Sequence, residues 1–237
     1  MGKNFWTFVG NDKYDIGLTG QTTYVYDKNG KELAKFKDLT YAYKCAISPN
    51  GDIFVIKSTG NKMAIYSFED MSLIKKFKYS KIDDSQDDNC IFSSDGRYFY
   101  NIERHITSIN SALSIYDTED FSLIKCLFKD DRDLEPKIIE CDNDDYYILG
   151  YFRNHDEHFA EKFFVSRLIN DNIEYIKYIT EKDYEFYHWA KKLEGNGFTS
   201  KAYSWSGFQY FECDLFRDLE ELKSMDISLA SLWKKLD

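Results

Sequence analysis

The chain has 237 residues, with 31 Lys and Arg against 41 Asp and Glu, a formal net charge of −10. Such a balance speaks against nucleic acid and anionic membranes as direct partners, because their phosphates repel an acidic surface. Five cysteines, at Cys45, Cys90, Cys126, Cys141 and Cys213, form no CxxC pair, so neither a disulfide framework nor a zinc site is expected.

The predicted elements are short strands separated by turns. Trp6–Val9, Tyr14–Leu18, Thr22–Asp27 and Glu32–Lys37 make a first set of four, the last two joined by the hairpin turn Asn29-Gly30. Lys44–Ser48, Ile53–Lys57, Met63–Phe68 and Ser72–Tyr79 make a second, with Pro49-Asn50-Gly51 turning the first strand into the next. Asn89–Ser93, Tyr98–Ile102, Leu113–Asp117 and Ser122–Phe128 make a third. Lys137–Cys141, Tyr146–Phe152, Lys162–Ile169 and Ile173–Tyr178 make a fourth. By position and length, a fifth set is placed at Tyr184–Trp189, Thr199–Ser204, Gln209–Leu215 and Leu219–Ser224. The tail 226–236 reads as an amphipathic helix with Asp226 as N-cap and Leu229, Leu232, Trp233 and Leu236 on one face.

Two of these sets are copies. Cys45-Ala-Ile-Ser-Pro-Asn-Gly51 is echoed by Cys90-Ile-Phe-Ser-Ser-Asp-Gly96, 45 residues on. Ile65-Tyr66-Ser-Phe-Glu-Asp70-Met-Ser-Leu-Ile-Lys75 is echoed by Ile115-Tyr116-Asp-Thr-Glu-Asp120-Phe-Ser-Leu-Ile-Lys125, 50 residues on. Five residues are therefore inserted within Glu103–Ala112 of the later copy. Cys45 and Cys90 share one repeat position, as small buried residues on an inner strand do. A period near 45 built of strands and turns is that of propeller blades. The predicted fold is all-β: a single five-bladed β-propeller over 1–237, with blades at about 4–38, 41–80, 87–128, 136–180 and 183–225 and the short C-terminal helix.

The Ser-Pro-Asn-Gly51 and Ser-Ser-Asp-Gly96 turns and the Ile65-Tyr66 and Ile115-Tyr116 strands resemble WD40-like and YVTN-type propeller repeats. The resemblance covers about 41–128 and names no specific family. It lacks the Gly-His and Trp-Asp dipeptides and any YVTN string. It implies the architecture and, since many such repeats are interaction platforms, a binding role; fold does not confer function.

In a propeller, loops joining successive blades share a face with those joining second and third strands. That face here collects two acidic clusters. Asp83, Asp84, Asp87 and Asp88 form one, and Asp130, Asp131, Asp133 and Glu135 the other. It also collects the inserted loop with His105 and the His155-Asp156-Glu157-His158 loop. These acids, with His155 and His158, are the candidate partner-binding residues, and long loops on a rigid scaffold suit that role. The histidine loop has no HExxH spacing, and no metal or other cofactor is expected. Tyr41, Tyr43, Tyr79, Phe186, Tyr187, His188 and Trp189 are candidate interface anchors, with inter-blade packing as their other reading. Inner strands offer only Glu140 and Glu185 as acids for a glycosidase pair, and Ser204-Trp205-Ser206-Gly207 is a turn that could stack a sugar.

The expected function is a non-enzymatic protein-binding module, of immunity or antitoxin type, docking a basic protein through acidic loops. A small-ligand or glycan-binding propeller and a carboxylate hydrolase are the alternatives. With no apolar run long enough to span a membrane, the expectation is a cytoplasmic monomer without nucleic-acid or membrane partners.

Overall fold

The computed structural model describes residues 3–79, 89–104, 111–154, 161–203 and 219–237. Among the described residues, sixteen strands form four antiparallel sheets of four, each meandering from one strand to the next. The chain divides into two compact units, 1–86 with 192–225, and 87–191 with 226–237.

The first unit holds two sheets. The first comprises β1 (Thr7–Gly10), β2 (Tyr14–Leu18), β3 (Thr23–Asp27) and β4 (Glu32–Phe36). The second comprises β5 (Ala42–Ile47), β6 (Ile53–Ser58), β7 (Lys62–Ser67) and β8 (Leu73–Lys78). Strand alternation places Ile16, Leu18 and Val25 of the first sheet against Phe54, Ile56 and Tyr66 of the second in one core. Rings fill the gap, with Tyr14 stacked on Phe68 at 4.5 Å and Phe36 packed on Tyr66 at 4.3 Å. A C-terminal stretch of the unit is bonded to β1 and to the residue before it: Phe8 N–H donates to Asn196 O at 3.2 Å, and the Thr199 hydroxyl donates to Trp6 O at 2.6 Å. Gly197, at φ +67°, permits this, because a Cβ there would stand 1.8 Å from Phe8 O.

The second unit holds the other two sheets. The third is β9 (Cys90–Phe92), β10 (Tyr98–Arg104), β11 (Ser111–Asp117) and β12 (Leu123–Leu127). The fourth is β13 (Leu134–Asp142), β14 (Asp145–Phe152), β15 (Phe163–Ile169) and β16 (Asn172–Ile179). Consecutive apolar residues bury both faces of the fourth sheet. Ile139, Ile148 and Phe164 face Ile102 and Leu113 of the third. Ile138, Leu149 and Val165 face Tyr184 and Tyr187 of helix α1 and Leu229 and Leu232 of the tail helix.

The two copied segments take matching conformations. Gly51 and Gly96 lie at φ +71° and +72°, and their N–H groups donate to Ser48 O and Ser93 O at 2.9 and 3.0 Å. The hydroxyls of Ser48 and Ser93 accept from Ile53 N and Tyr98 N at 3.1 and 2.9 Å. In the later turns Met71 and Phe121 adopt φ +55° and +53°, and Ser72 N and Ser122 N donate to Asp70 and Asp120. Cys45 and Cys90 are both buried. Relative to β6 and β7, β10 and β11 are each one residue longer. The rest of the five-residue insertion falls in 105–110, outside the described residues.

The expected fifth blade is corrected. Tyr184–Trp189 lies within α1 (Glu181–Glu194), residues 200–203 are helical, and Leu219–Ser224 is helix α2. Gln209–Leu215 lies outside the described residues. The physical reason is a reciprocal cap at Thr180. Its hydroxyl accepts from Asp183 N at 3.1 Å and donates to Asp183 Oδ2 at 2.6 Å. Downstream, buried Tyr184, Tyr187, Ala190 and Leu193 recur at helical spacing.

The tail helix α3 is Leu229–Lys235. Its N-cap is Ser228 rather than Asp226, with Ser228 Oγ accepting from Ser231 N at 3.1 Å. Among the described residues, no helix is long and apolar enough to cross a membrane.

Candidate partner-binding site

Within the second unit, β10, β12 and β14 end, and β11, β13 and β15 begin, at one end of the sheets. The β12–β13 turn is held there by its own acids. Asp131 Oδ1 accepts from Asp133 N at 3.0 Å and Leu134 N at 3.1 Å. Asp133 Oδ1 accepts from Asn154 N at 2.7 Å, and its carbonyl accepts from Arg153 N at 2.8 Å. Asp130, Asp131 and Arg132 are exposed and Asp133 is half-buried. So Asp133 ties the turn to the end of β14, while Asp130 offers its charge to solvent.

Glu135 differs from the loop acid expected of it. It lies in β13 and is 0% exposed. Its carboxylate pairs with the Arg153 guanidinium, lies 3.5 Å from Lys137 Nζ and accepts from Ser111 N at 3.3 Å. Lys137 Nζ also donates to Ser111 Oγ at 3.4 Å. A buried carboxylate is tolerated only when paired and hydrogen-bonded, and this one ties the starts of β11 and β13 to the end of β14. With Glu135 neutralised internally, the turn Lys129–Asp133 carries three acids against two bases, and its exposed residues two against two.

Glu103, expected in the inserted loop, lies in β10 and is 3% exposed. It accepts from Ser114 Oγ at 2.7 Å, from Asn101 Nδ2 at 2.6 Å and from the Tyr116 hydroxyl at 3.3 Å. Burial, and then the negative charge of Glu103, push the Tyr116 phenol above its ordinary range. Burial likewise raises the Cys126 thiol, which touches Ser114 Oγ at 3.6 Å. Neutral phenol and thiol beside an acceptor carboxylate form a structural network, with no activated nucleophile in it. Sequence reasoning missed this pair of buried glutamates. The signal available was position: Glu103 directly follows the expected strand Tyr98–Ile102, and Glu135 stands two residues before the expected strand Lys137–Cys141.

Of the other expected site residues, Asp83, Asp84, Asp87, Asp88, His155 and His158 lie outside the described residues, as do His105 and Ser204–Gly207. Among the described residues no group of three or more His, Cys, Asp or Glu could hold a metal. Tyr41 is 63% exposed at φ +55°. Tyr187, His188 and Trp189 are buried in α1. Glu140 accepts from Leu229 N through both oxygens at 3.2 Å and pairs with Lys191 at 2.6 Å, so it anchors α3 against α1. Glu185 belongs to α1.

No protein-family model and no curated protein matches the sequence. The fold does match solved structures. The hydrazine synthase of Kuenenia stuttgartiensis superposes with a TM-score of 0.60 at 12% identity, over 76% of this chain and 50% of that one. The WD40 domain of Toxoplasma gondii coronin gives 0.55 at 11%, over 74% and 45%. The Pan2 WD40 domain of Neurospora crassa gives 0.52 at 14%, over 73% and 51%. The matches reach only about half the length of those chains, and identities this low speak to fold and not to activity. The four four-stranded sheets of this chain are similar in fold to the β-propellers of WD40 domains.

Proposed function

We propose that this protein is a non-enzymatic interaction module whose acidic β12–β13 turn and acidic segment 80–88 steer a basic protein partner. The observation that supports this reading is the β12–β13 turn: exposed Asp130 and Asp131 sit in a turn that leads into β13, whose start is tied by the buried Glu135 carboxylate to Arg153 and Lys137. A charge held on a fixed platform keeps its orientation as a partner approaches. Such rim charges act mainly on the association rate. The segment 80–88 adds four aspartates against Lys81 in sequence, and the two WD40 domains among the similar structures fit a binding role. The narrower form is an immunity or antitoxin protein, small and acidic, covering a basic toxin.

The test is affinity capture from the native host, then association kinetics against salt. Asn at positions 83, 84, 87, 88, 130 and 131 should slow association with the captured partner and flatten its salt dependence, since screening acts over about 8 Å at physiological ionic strength. Capture of no basic protein, or an unchanged salt slope, rejects the proposal. A captured partner that is not a toxin rejects only the narrower form.

A further inference from the structure

The first sheet has one face in the core and a second that runs through the cross-strand row Phe8, Gly17, Tyr24 and Lys35. The N-terminal segment lies over this row. The Phe5 ring sits where a Gly17 Cβ would stand 2.5 to 2.9 Å from its atoms, and it packs on Phe8 and Tyr24 at 5.2 and 6.1 Å. Trp6 N–H donates to Leu18 O at 2.8 Å. Phe5 and Trp6 thus anchor the segment without help from Lys3.

Lys3 has a different set of contacts. Its ammonium stands 4.0 Å from the Tyr24 ring centroid and 5.1 Å from that of Tyr26. It donates to the Tyr26 hydroxyl at 2.7 Å and to Glu32 Oε2 at 2.6 Å. The Lys3 and Glu32 side chains are 38% and 42% exposed, so the position opens to solvent. Tyr24 also has the Lys35 ammonium at 5.5 Å. Two stacked phenol rings, a hydroxyl acceptor and a carboxylate converge on one cation. That is the complement of a primary ammonium, with π faces for its charge and two acceptors for its N–H groups.

We propose that the Tyr24–Tyr26–Glu32 face is a binding site for the lysine ammonium of a basic partner, and that Lys3 occupies it as an internal stand-in. Exchange requires only that the Lys3 side chain swing away, because Phe5 stays seated over Gly17. The site lies in the first unit and does not depend on the loop reading above; either can fail alone.

The experiment titrates Nα-acetyl-lysine amide into the whole protein and follows the Tyr24 and Tyr26 ring resonances by NMR. Lys3→Ala should show saturable shifts and bind on the order of five-fold more tightly than the parent, the competitor having been removed. Adding Tyr24→Leu should abolish the shifts at Tyr26. No gain in Lys3→Ala, or undiminished binding with Tyr24→Leu, overturns the proposal. Should Tyr24→Leu fail to fold, Lys3→Ala with Glu32→Gln decides instead: weakened binding supports the site, and unchanged binding overturns it.

Discussion

Glu135→Gln tests whether the platform beneath the β12–β13 turn is held by charge. Gln keeps the shape and can still accept from Ser111 N, so the substitution removes the charge and little else. The carboxylate is fully buried, while the Arg153 and Lys137 side chains are 25% and 13% exposed. At 3.5 Å from Lys137, an ion pair at an effective dielectric of ~20 is worth about 5 kcal/mol of Coulomb attraction. Breaking a buried pair by removing one partner costs about 3–5 kcal/mol. The partial exposure of both cations lets water recover some of that, so a loss of about 3 kcal/mol is expected.

Urea unfolding reads this as a fall in midpoint at constant slope. The double variant Glu135→Gln/Arg153→Met should recover part of the loss, because one stranded cation leaves with the anion. A coupling of at least ~1 kcal/mol is expected for groups in one network. Amide exchange at Leu134 and Asn154 should quicken in the single variant, since the turn is tied to the strands this cluster joins. A loss under ~1 kcal/mol, or strict additivity in the double variant, would refute the charge argument.

Three further outcomes follow from local geometry. Gly197→Ala and Gly30→Ala both force Ala to positive φ, but Gly30 has nothing within 4 Å of its would-be Cβ whereas Gly197 meets Phe8 O. Gly30→Ala should cost about 1 kcal/mol and Gly197→Ala at least ~2 kcal/mol more in urea unfolding, through the lost Phe8–Asn196 bond and backbone strain. Asp133→Ala should lose about 1 kcal/mol with its bond to Asn154 N, while Asp133→Asn, which keeps an acceptor, should be near neutral. The Asp95 carboxyl is held down at about 2 by the Ser93 hydroxyl and then by the Arg97 N–H and guanidinium. Its contribution to stability is present above the unfolded value of ~3.9 and is lost as pH falls through about 2, so Asp95→Asn should flatten thermal stability across that window.

The strands were legible because each carries its own period and stops at its own turn. Tyr14–Leu18 was placed at its observed bounds, and the Gly51 and Gly96 turns are superposable in hydrogen bonding because a Ser hydroxyl and a left-handed glycine are written at both. The fifth set carried no such turn. Length alone suggests strands there, and the residues that decide the matter, Thr180 and Asp183, spell a helix cap. Tyr184 and Tyr187 suit a strand by propensity, and burial against the free face of the fourth sheet overrides it. An apolar sheet face accepts any apolar cover, and α1 with α3 provides one.

The site was harder to read, for a reason visible in its acids. A sequence scores Asp130, Asp131, Asp133 and Glu135 alike, as one run of negative charge. The fold gives them four different duties: Asp130 faces water, Asp131 closes its own turn, Asp133 ties the turn to β14, and Glu135 is a buried counter-ion. What separates them is the start of β13 at Leu134, where Leu134, Glu135 and Pro136 are all buried. A loop drawn to end one residue past that point turns a structural ion into a surface charge. Charge counted along the chain therefore overstates what a partner meets. Within the described residues of this turn, exposed Asp130 and Asp131 are balanced by exposed Lys129 and Arg132, and the net negative charge is that of half-buried Asp133. Any steering that the turn exerts must therefore come from where Asp130 and Asp131 are held rather than from how many acids surround them.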